Sequence, residues 1–131
     1  MEASLRKLIE LRPEHAHAYN ALGYTFAERN IRLDDAQGLI EKALSLAPDD
    51  PHIIDSMGWV LYRKGQLDKS LEWLNKAYAV RPEPDIAAHL GEVLWKLGRA
   101  ADARQMWQAA RKLDPDNETL KETLARLNVS L

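Results

Sequence analysis

A chain of 131 residues with 46% apolar and 29% charged side chains has the size and mixture of one ordinary globular domain, which excludes disorder and collagen-like fibre. Eighteen basic against twenty acidic side chains give a net charge of −2, the wrong sign for a protein whose main business is neutralising phosphates, so nucleic acid is excluded as the main partner. No apolar run reaches the roughly 18 residues of a bilayer span, no signal peptide is recognisable at Met1-Glu2-Ala3-Ser4-Leu5, and the lack of cysteine removes disulfides and thiol chemistry but fits a reducing and an oxidising compartment equally.

The first segment, 1–15, places Leu5, Leu8 and Ile9 on one helical face and closes at Pro13. It reads as the second helix of a unit whose first helix is missing. The next segment, 16–50, carries Tyr19, Leu22, Gly23 and Phe26, a break at Asn30, one extra residue near Arg32, then Ala36, Ile40, Ala43 and Pro48. A third, 51–83, opens with Asp50-Pro51, an N-cap followed by proline at the first helical position. It continues with Ile54, Met57, Gly58 and Leu61, breaks at Gly65, and runs through Ser70, Leu74 and Ala77 to Pro82. The segment 84–117 repeats the order with Ala87, Leu90, Gly91, Leu94, Gly98, Ala103, Trp107, Ala110 and Pro115. Last, over 118–131, Asn117 caps a helix with Leu120, Leu124 and Leu127 on one face and Thr119, Lys121, Glu122 and Arg126 on the other, a polar-backed lid.

The four prolines 13, 48, 82 and 115 stand 35, 34 and 33 residues apart. Each full unit is two helices, broken where Asn or Gly takes the left-handed conformation. Small residues have a packing reason: Gly23, Gly58 and Gly91 let a first helix approach a second that presents Ala36, Ser70 or Ala103, while Ala43, Ala77 and Ala110 let the following unit stack.

These residues resemble the tetratricopeptide repeat over essentially the whole chain, with departures at Ile54 and Ala87, where the pattern has its first aromatic. The resemblance implies an all-α, right-handed superhelical solenoid that acts as a non-catalytic protein-binding scaffold and needs no cofactor. First helices would line a concave groove. That places Asn20 and Tyr24 of the first unit, Asp55, Trp59, Tyr62 and Arg63 of the second, and His89, Glu92, Trp95 and Lys96 of the third on the wall that meets a polypeptide. Trp59 and Tyr62 are expected at its centre, with Trp95 alongside, as an aromatic strip the core pattern does not require. His17, His52 and His89 are expected beside Asp55, Asp85 or Glu92, so that protonation below about pH 6 makes the wall less acidic. The set of Lys, Asn and Arg residues with which such domains grip a chaperone's C-terminal carboxylate is not assembled: Asn20 and Tyr24 stand on the first unit's helix, Ser56 on the second, and Asp85 and His89 on the third.

No phosphate-binding glycine loop, HExxH helix or Gly-x-Ser-x-Gly elbow occurs, and the acid pairs Asp34-Asp35 and Asp49-Asp50 fit helix starts. The alternative to a groove binder is a structural segment whose edges stack against missing repeats or another copy with the groove idle, and an enzyme of unknown type stands third. Separately, the uncovered edge at 3–12 is expected to self-associate weakly or to be disordered. The phrases 55–62 and 86–95 are also similar to the C-terminal repeats of proteobacterial outer-membrane tetratricopeptide lipoproteins, some of which present substrates to a periplasmic carboxyl-terminal processing protease. That similarity implies a C-terminal piece of an adaptor, Met1 being no native start, with the protease or its substrates as partners. The piece would lie on the periplasmic side of the outer membrane, and in the cytoplasm if the similarity fails.

Overall fold

The computed structural model describes residues 1–131 as eight helices and no strand. They are α1 Glu2–Leu11, α2 Ala16–Glu28, α3 Leu33–Leu46, α4 Pro51–Arg63, α5 Leu67–Val80, α6 Pro84–Lys96, α7 Ala100–Leu113 and α8 Glu118–Leu127. Successive even-numbered helices touch one another, whereas α1, α3, α5 and α7 touch only helices of that row. The tighter row is the inside of the curve, and it carries the site described below.

The local signals behave as their chemistry requires. Asp50 accepts from the backbone N–H of His52 at 2.9 Å with Pro51 opening α4, and the Asn117 side chain accepts from Leu120 N–H at 2.9 Å to open α8. At the start of α2 the acceptor is His15 Nδ1, 3.2 Å from Ala18 N–H, which leaves His15 a capping role. The breaks at Asn30, Gly65 and Gly98 have φ of 57°, 82° and 82°. The extra residue of the first unit is absorbed by a second left-handed residue, Arg32, at φ 48°. Its side chain is held over the Phe26 ring at 4.8 Å and paired with Asp35 at 3.1 Å, contacts that oppose the cost of the conformation.

The glycine contacts differ in detail from the sequence expectation. A methyl group at Gly23 would meet Ile40 and the Ala36 carbonyl, one at Gly58 would meet Leu74, and one at Gly91 would drive into the Trp107 indole. The close approach therefore accommodates large side chains one helical turn beyond Ala36, Ser70 and Ala103. Ser70 sits beside the contact, and its hydroxyl donates to the Gly58 carbonyl at 2.7 Å. Ala77 is fully buried in a cluster with Ile54 of α4 and Ile86 of α6, at the junction of two units. Trp107 is fully buried and donates its indole N–H to the Ala88 carbonyl at 3.2 Å.

Gly38, inside α3, has open space where a Cβ would stand. Glycine in a helix interior costs about 1 kcal/mol relative to alanine. Gly38→Ala is expected to raise the unfolding free energy by about that amount, and Gly91→Ala to lower it by about 1 to 3 kcal/mol through overpacking. Urea denaturation of both variants beside the parent checks the pair.

A polar wall and cavity on the concave face

The wall is built from one register position of each inner helix. Tyr24, Trp59, Glu92 and Arg126 follow one another at intervals of 35, 33 and 34 residues and fall side by side across α2, α4, α6 and α8. Trp59 is not an open ring: it is 1% exposed, stacked on the His89 imidazole at 4.2 Å between centroids and tilted against Tyr62 at 4.8 Å. Its indole N–H donates to Glu28 Oε2 at 3.1 Å, and the Arg63 guanidinium covers the ring at 5.0 Å. The aromatic strip expected from the sequence is thus closed at its centre, because the rings pack on the next helix instead of facing outward. Nor does Trp95 join it. Trp95 packs at 5.6 Å from Trp107, with Arg104 over its ring, against α7.

Behind the aromatic rings runs a chain of paired polar groups. His89 is 4% exposed, with Nδ1 3.0 Å from both Asp55 carboxylate oxygens and Nε2 3.2 Å from the Tyr24 hydroxyl. Burial alone would lower the His89 pKa, but the Asp55 charge and hydrogen bond outweigh it and hold it above the usual 6.5. The imidazolium then donates from Nδ1 to Asp55 and from Nε2 to the Tyr24 oxygen. Burial, reinforced by the Glu28 and Asp55 charges, raises the Tyr24 phenol far above its usual range. A Tyr–His–Asp chain of this kind holds its proton on the phenol and supplies no nucleophile.

Glu92 is the second anchor. Burial would raise its carboxyl, yet the Arg126 and Tyr62 hydrogen bonds hold it below the usual carboxylate range. Tyr62 donates to Oε2 at 2.7 Å, while Arg126 donates from Nη1 to Oε2 at 3.0 Å and from Nη2 to Oε1 at 2.6 Å. Arg126 also reaches Glu122 at 2.7 Å, and the two carboxylates keep its guanidinium protonated well beyond its normal range. This bidentate pair ties α8 to α6.

In front of the wall lies a cavity of about 330 Å³ lined by Tyr24, Glu28, Trp59 and His89 on one side and by Glu118, Thr119, Glu122, Thr123 and Arg126 on the other. Of the residues singled out in the sequence, Tyr24, Trp59 and His89 reach the cavity, and Asp55, Tyr62, Arg63 and Glu92 support them from behind. Asn20, half-buried with an unpaired Oδ1, Trp95 and the exposed Lys96 stand apart from it. His17 and His52 are exposed and lie 3.8 Å from Asp50 and 3.4 Å from Glu83. Of the three histidines only His89 has the neighbours expected of it. The contribution of α8 escaped the sequence reading, which gave Glu122, Thr119 and Arg126 to a solvent-facing back. The signal was available: Arg126 continues the register of Tyr24, Trp59 and Glu92.

A family model described as tetratricopeptide repeat matches residues 2–51, 29–85, 56–118 and 89–129, overlapping along almost the whole chain. The chain belongs to the tetratricopeptide repeat family. Its array is similar to a TPR repeat-containing protein of Pseudomonas aeruginosa, 50% identical over 92 residues, which is 70% of this chain and 16% of that protein. It is also similar to the human protein O-mannosyl-transferase TMTC1, 34% identical over 100 residues, 72% of this chain and 11% of that one. The array therefore spans a small part of each of these relatives. Among solved structures, a thermophilic TPR protein of Thermus thermophilus superposes with a TM-score of 0.82 at 21% identity, covering 98% of this chain and 72% of that chain. MamA from Desulfovibrio magneticus gives 0.71 at 22% identity, covering 89% and 66%. These likenesses establish a solenoid of tetratricopeptide helix pairs, the fold typical of protein-interaction scaffolds.

The charge switch expected below pH 6 moves to higher pH at His89, where burial would lower the pKa but the Asp55 charge and hydrogen bond raise it. With its folded pKa above the unfolded value near 6.5, His89 contributes stability that is complete below pH 6.5 and is lost as pH rises through the folded pKa. Glu92 acts oppositely, contributing above about pH 4.5 and losing it as pH falls through its lowered folded pKa. The tetratricopeptide array should lose unfolding free energy above pH 6.5, at up to about 1.4 kcal/mol per pH unit for one proton. His89→Gln should be less stable at pH 6.5 and flatter from there to pH 9. Urea unfolding at stepped pH reads both slopes.

Proposed function

We propose that this array is a non-catalytic scaffold that binds a polypeptide segment along its concave wall. The observation that carries the reading is the cavity itself. Three repeats and the last helix contribute side chains to one recess, and the charged groups deepest in it are held by hydrogen bonds before any partner arrives. A wall ordered in advance does not lose side-chain freedom on binding, which favours recognition. The narrower reading, an envelope adaptor that offers substrates to a carboxyl-terminal processing protease on the periplasmic side of the outer membrane, rests on the resemblance of 55–62 and 86–95.

Because Trp59 is buried, Trp59→Ala would cost about 3 to 5 kcal/mol of stability and could not separate binding from folding. Thr119 lines the cavity from α8 and is free of the core, so Thr119→Tyr fills the recess with the fold intact. A partner captured from bacterial envelope extract, identified by mass spectrometry and titrated by calorimetry should bind Thr119→Tyr at least tenfold more weakly, about 1.4 kcal/mol. Glu72→Ala, on exposed α5, should change nothing. Equal binding by parent and Thr119→Tyr, both folded by circular dichroism, moves the partner site off the concave face.

A second reading concerns the edge. Residues 2–11 form a helix rather than a disordered segment, with Leu5 and Ile9 packed on the first core cluster. Met1 and Leu11 remain 79% and 69% exposed. Uncovered apolar area of this kind favours weak association. Sedimentation velocity is expected to show a rise in apparent mass with concentration that Leu11→Glu abolishes.

A further inference from the structure

We infer that the concave cavity receives the side chain of an arginine or lysine carried by the bound polypeptide. The inference rests on the groove reading above and goes beyond it in naming what enters. The cations already in the wall are spent internally: Arg126 on Glu92 and Glu122, His89 on Asp55. The carboxylates at the rim are not. Glu28, on α2, accepts from the Trp59 indole and stands beside the Tyr24 phenol but is paired with no cation, and Glu118, on the facing α8, has only an exposed contact with Lys121 at 3.5 Å. A charge entering between them meets two carboxylates from opposite sides, with the Tyr24 and Trp59 rings in the lining.

The wall already displays this chemistry with the chain's own residues. The guanidinium of Arg63 lies over Trp59, and that of Arg126 lies between two carboxylates. An arginine from a partner would find the same two kinds of contact, an aromatic ring and a carboxylate, at the half-buried Tyr24 and the Glu28 and Glu118 carboxylates, since both faces of Trp59 are already covered. An acidic side chain would face the Glu28 and Glu118 carboxylates, while the Arg126 cation beside them is already bound to Glu92 and Glu122. An apolar one would desolvate the Glu28 and Glu118 carboxylates without supplying a charge to pair them. A metal ion is a poor fit, since nowhere does a group of three His, Asp or Glu side chains converge as ligands would.

The test uses nitrogen-15-labelled protein and two capped tripeptides, acetyl-Ala-Arg-Ala-amide and the same peptide with citrulline, which keeps the shape of arginine without its charge. The arginine peptide should shift the Trp59 indole N–H and the Thr119 and Thr123 amides in a saturable manner, and citrulline should bind at least about tenfold more weakly. Glu28→Gln with Glu118→Gln retains an acceptor for the Trp59 indole and should bring the arginine peptide down to the citrulline level. Thr119→Arg, which places a cation of the chain's own at the mouth, should do the same. Equal shifts from the two peptides, shifts confined to the convex residues around Trp73, or indifference to both sets of variants would overturn the inference. If partner binding still fails in Thr119→Tyr while the arginine peptide is silent, the groove stands and only the cation preference falls. If the arginine peptide binds but Thr119→Tyr leaves the partner untouched, the concave face takes no part in the partner complex and the inference falls with the groove reading.

Discussion

At Gly23, Gly58 and Gly91 an inner helix lies against Ile40, Leu74 and Trp107 of its outer partner with no room for a methyl group. That approach fixes the distance between the two helices of every unit and thereby the angle at which the next unit stacks. Ala77, between Ile54 and Ile86, fixes the stacking itself. Because both contacts recur at nearly constant spacing, any other pattern position also recurs in space as a row. The concave wall is such a row. Tyr24, Trp59, Glu92 and Arg126 meet across four helices only because the glycine contacts have set the helices in register.

The row buries groups that are expensive to desolvate. Glu92 is 1% exposed, Asp55 6% and His89 4%, and each has its charge answered within hydrogen-bond distance. Such pairs add little net stability compared with a well-packed apolar wall, whereas removing one partner leaves a stranded charge at a cost of about 3 to 5 kcal/mol. Their effect is on shape more than on stability. A satisfied network admits few alternative arrangements, so the cavity in front of it keeps its outline. The same bonds recruit α8 into the wall through Arg126, so the cap that covers the last unit with Leu120 is also one side of the recess.

Much of the fold was legible because its signals are local. Proline spacing, the N-caps Asp50 and Asn117, and the left-handed Asn30, Gly65 and Gly98 each act within a few residues, and each is readable without knowing what lies opposite. The site was only half legible. Repeat register brought Tyr24, Trp59 and His89 to the wall, but whether a ring on that wall is open or covered depends on contacts between helices some 30 residues apart in sequence. Trp59 is closed by His89, and His89 is held by Asp55, partners separated by 30 and 34 residues that no local pattern pairs. Trp95 went astray for the same reason: its position matches that of Tyr62, but Trp107 and Arg104 of α7 offer it a nearer apolar partner. Treating the last helix as a cap alone hid Arg126, which extending the repeat register by one more unit would have placed.

Burial also divides the electrostatics of the wall into two parts that respond to different conditions. The His89–Asp55 pair behind the rings is shielded from solvent, so added salt barely reaches it and proton uptake or release is what changes it. The rim carboxylates of Glu28 and Glu118 are exposed, and at physiological ionic strength their fields fall off within about 8 Å. A ligand charge must therefore enter the recess before it feels both, which confines discrimination to the bound geometry and leaves long-range steering weak in a chain of net charge −2. Folding through the buried pairs is thus tuned by pH and recognition at the rim by salt. The two are separable because the Trp59 ring, stacked on His89 with its N–H turned to Glu28, stands between them.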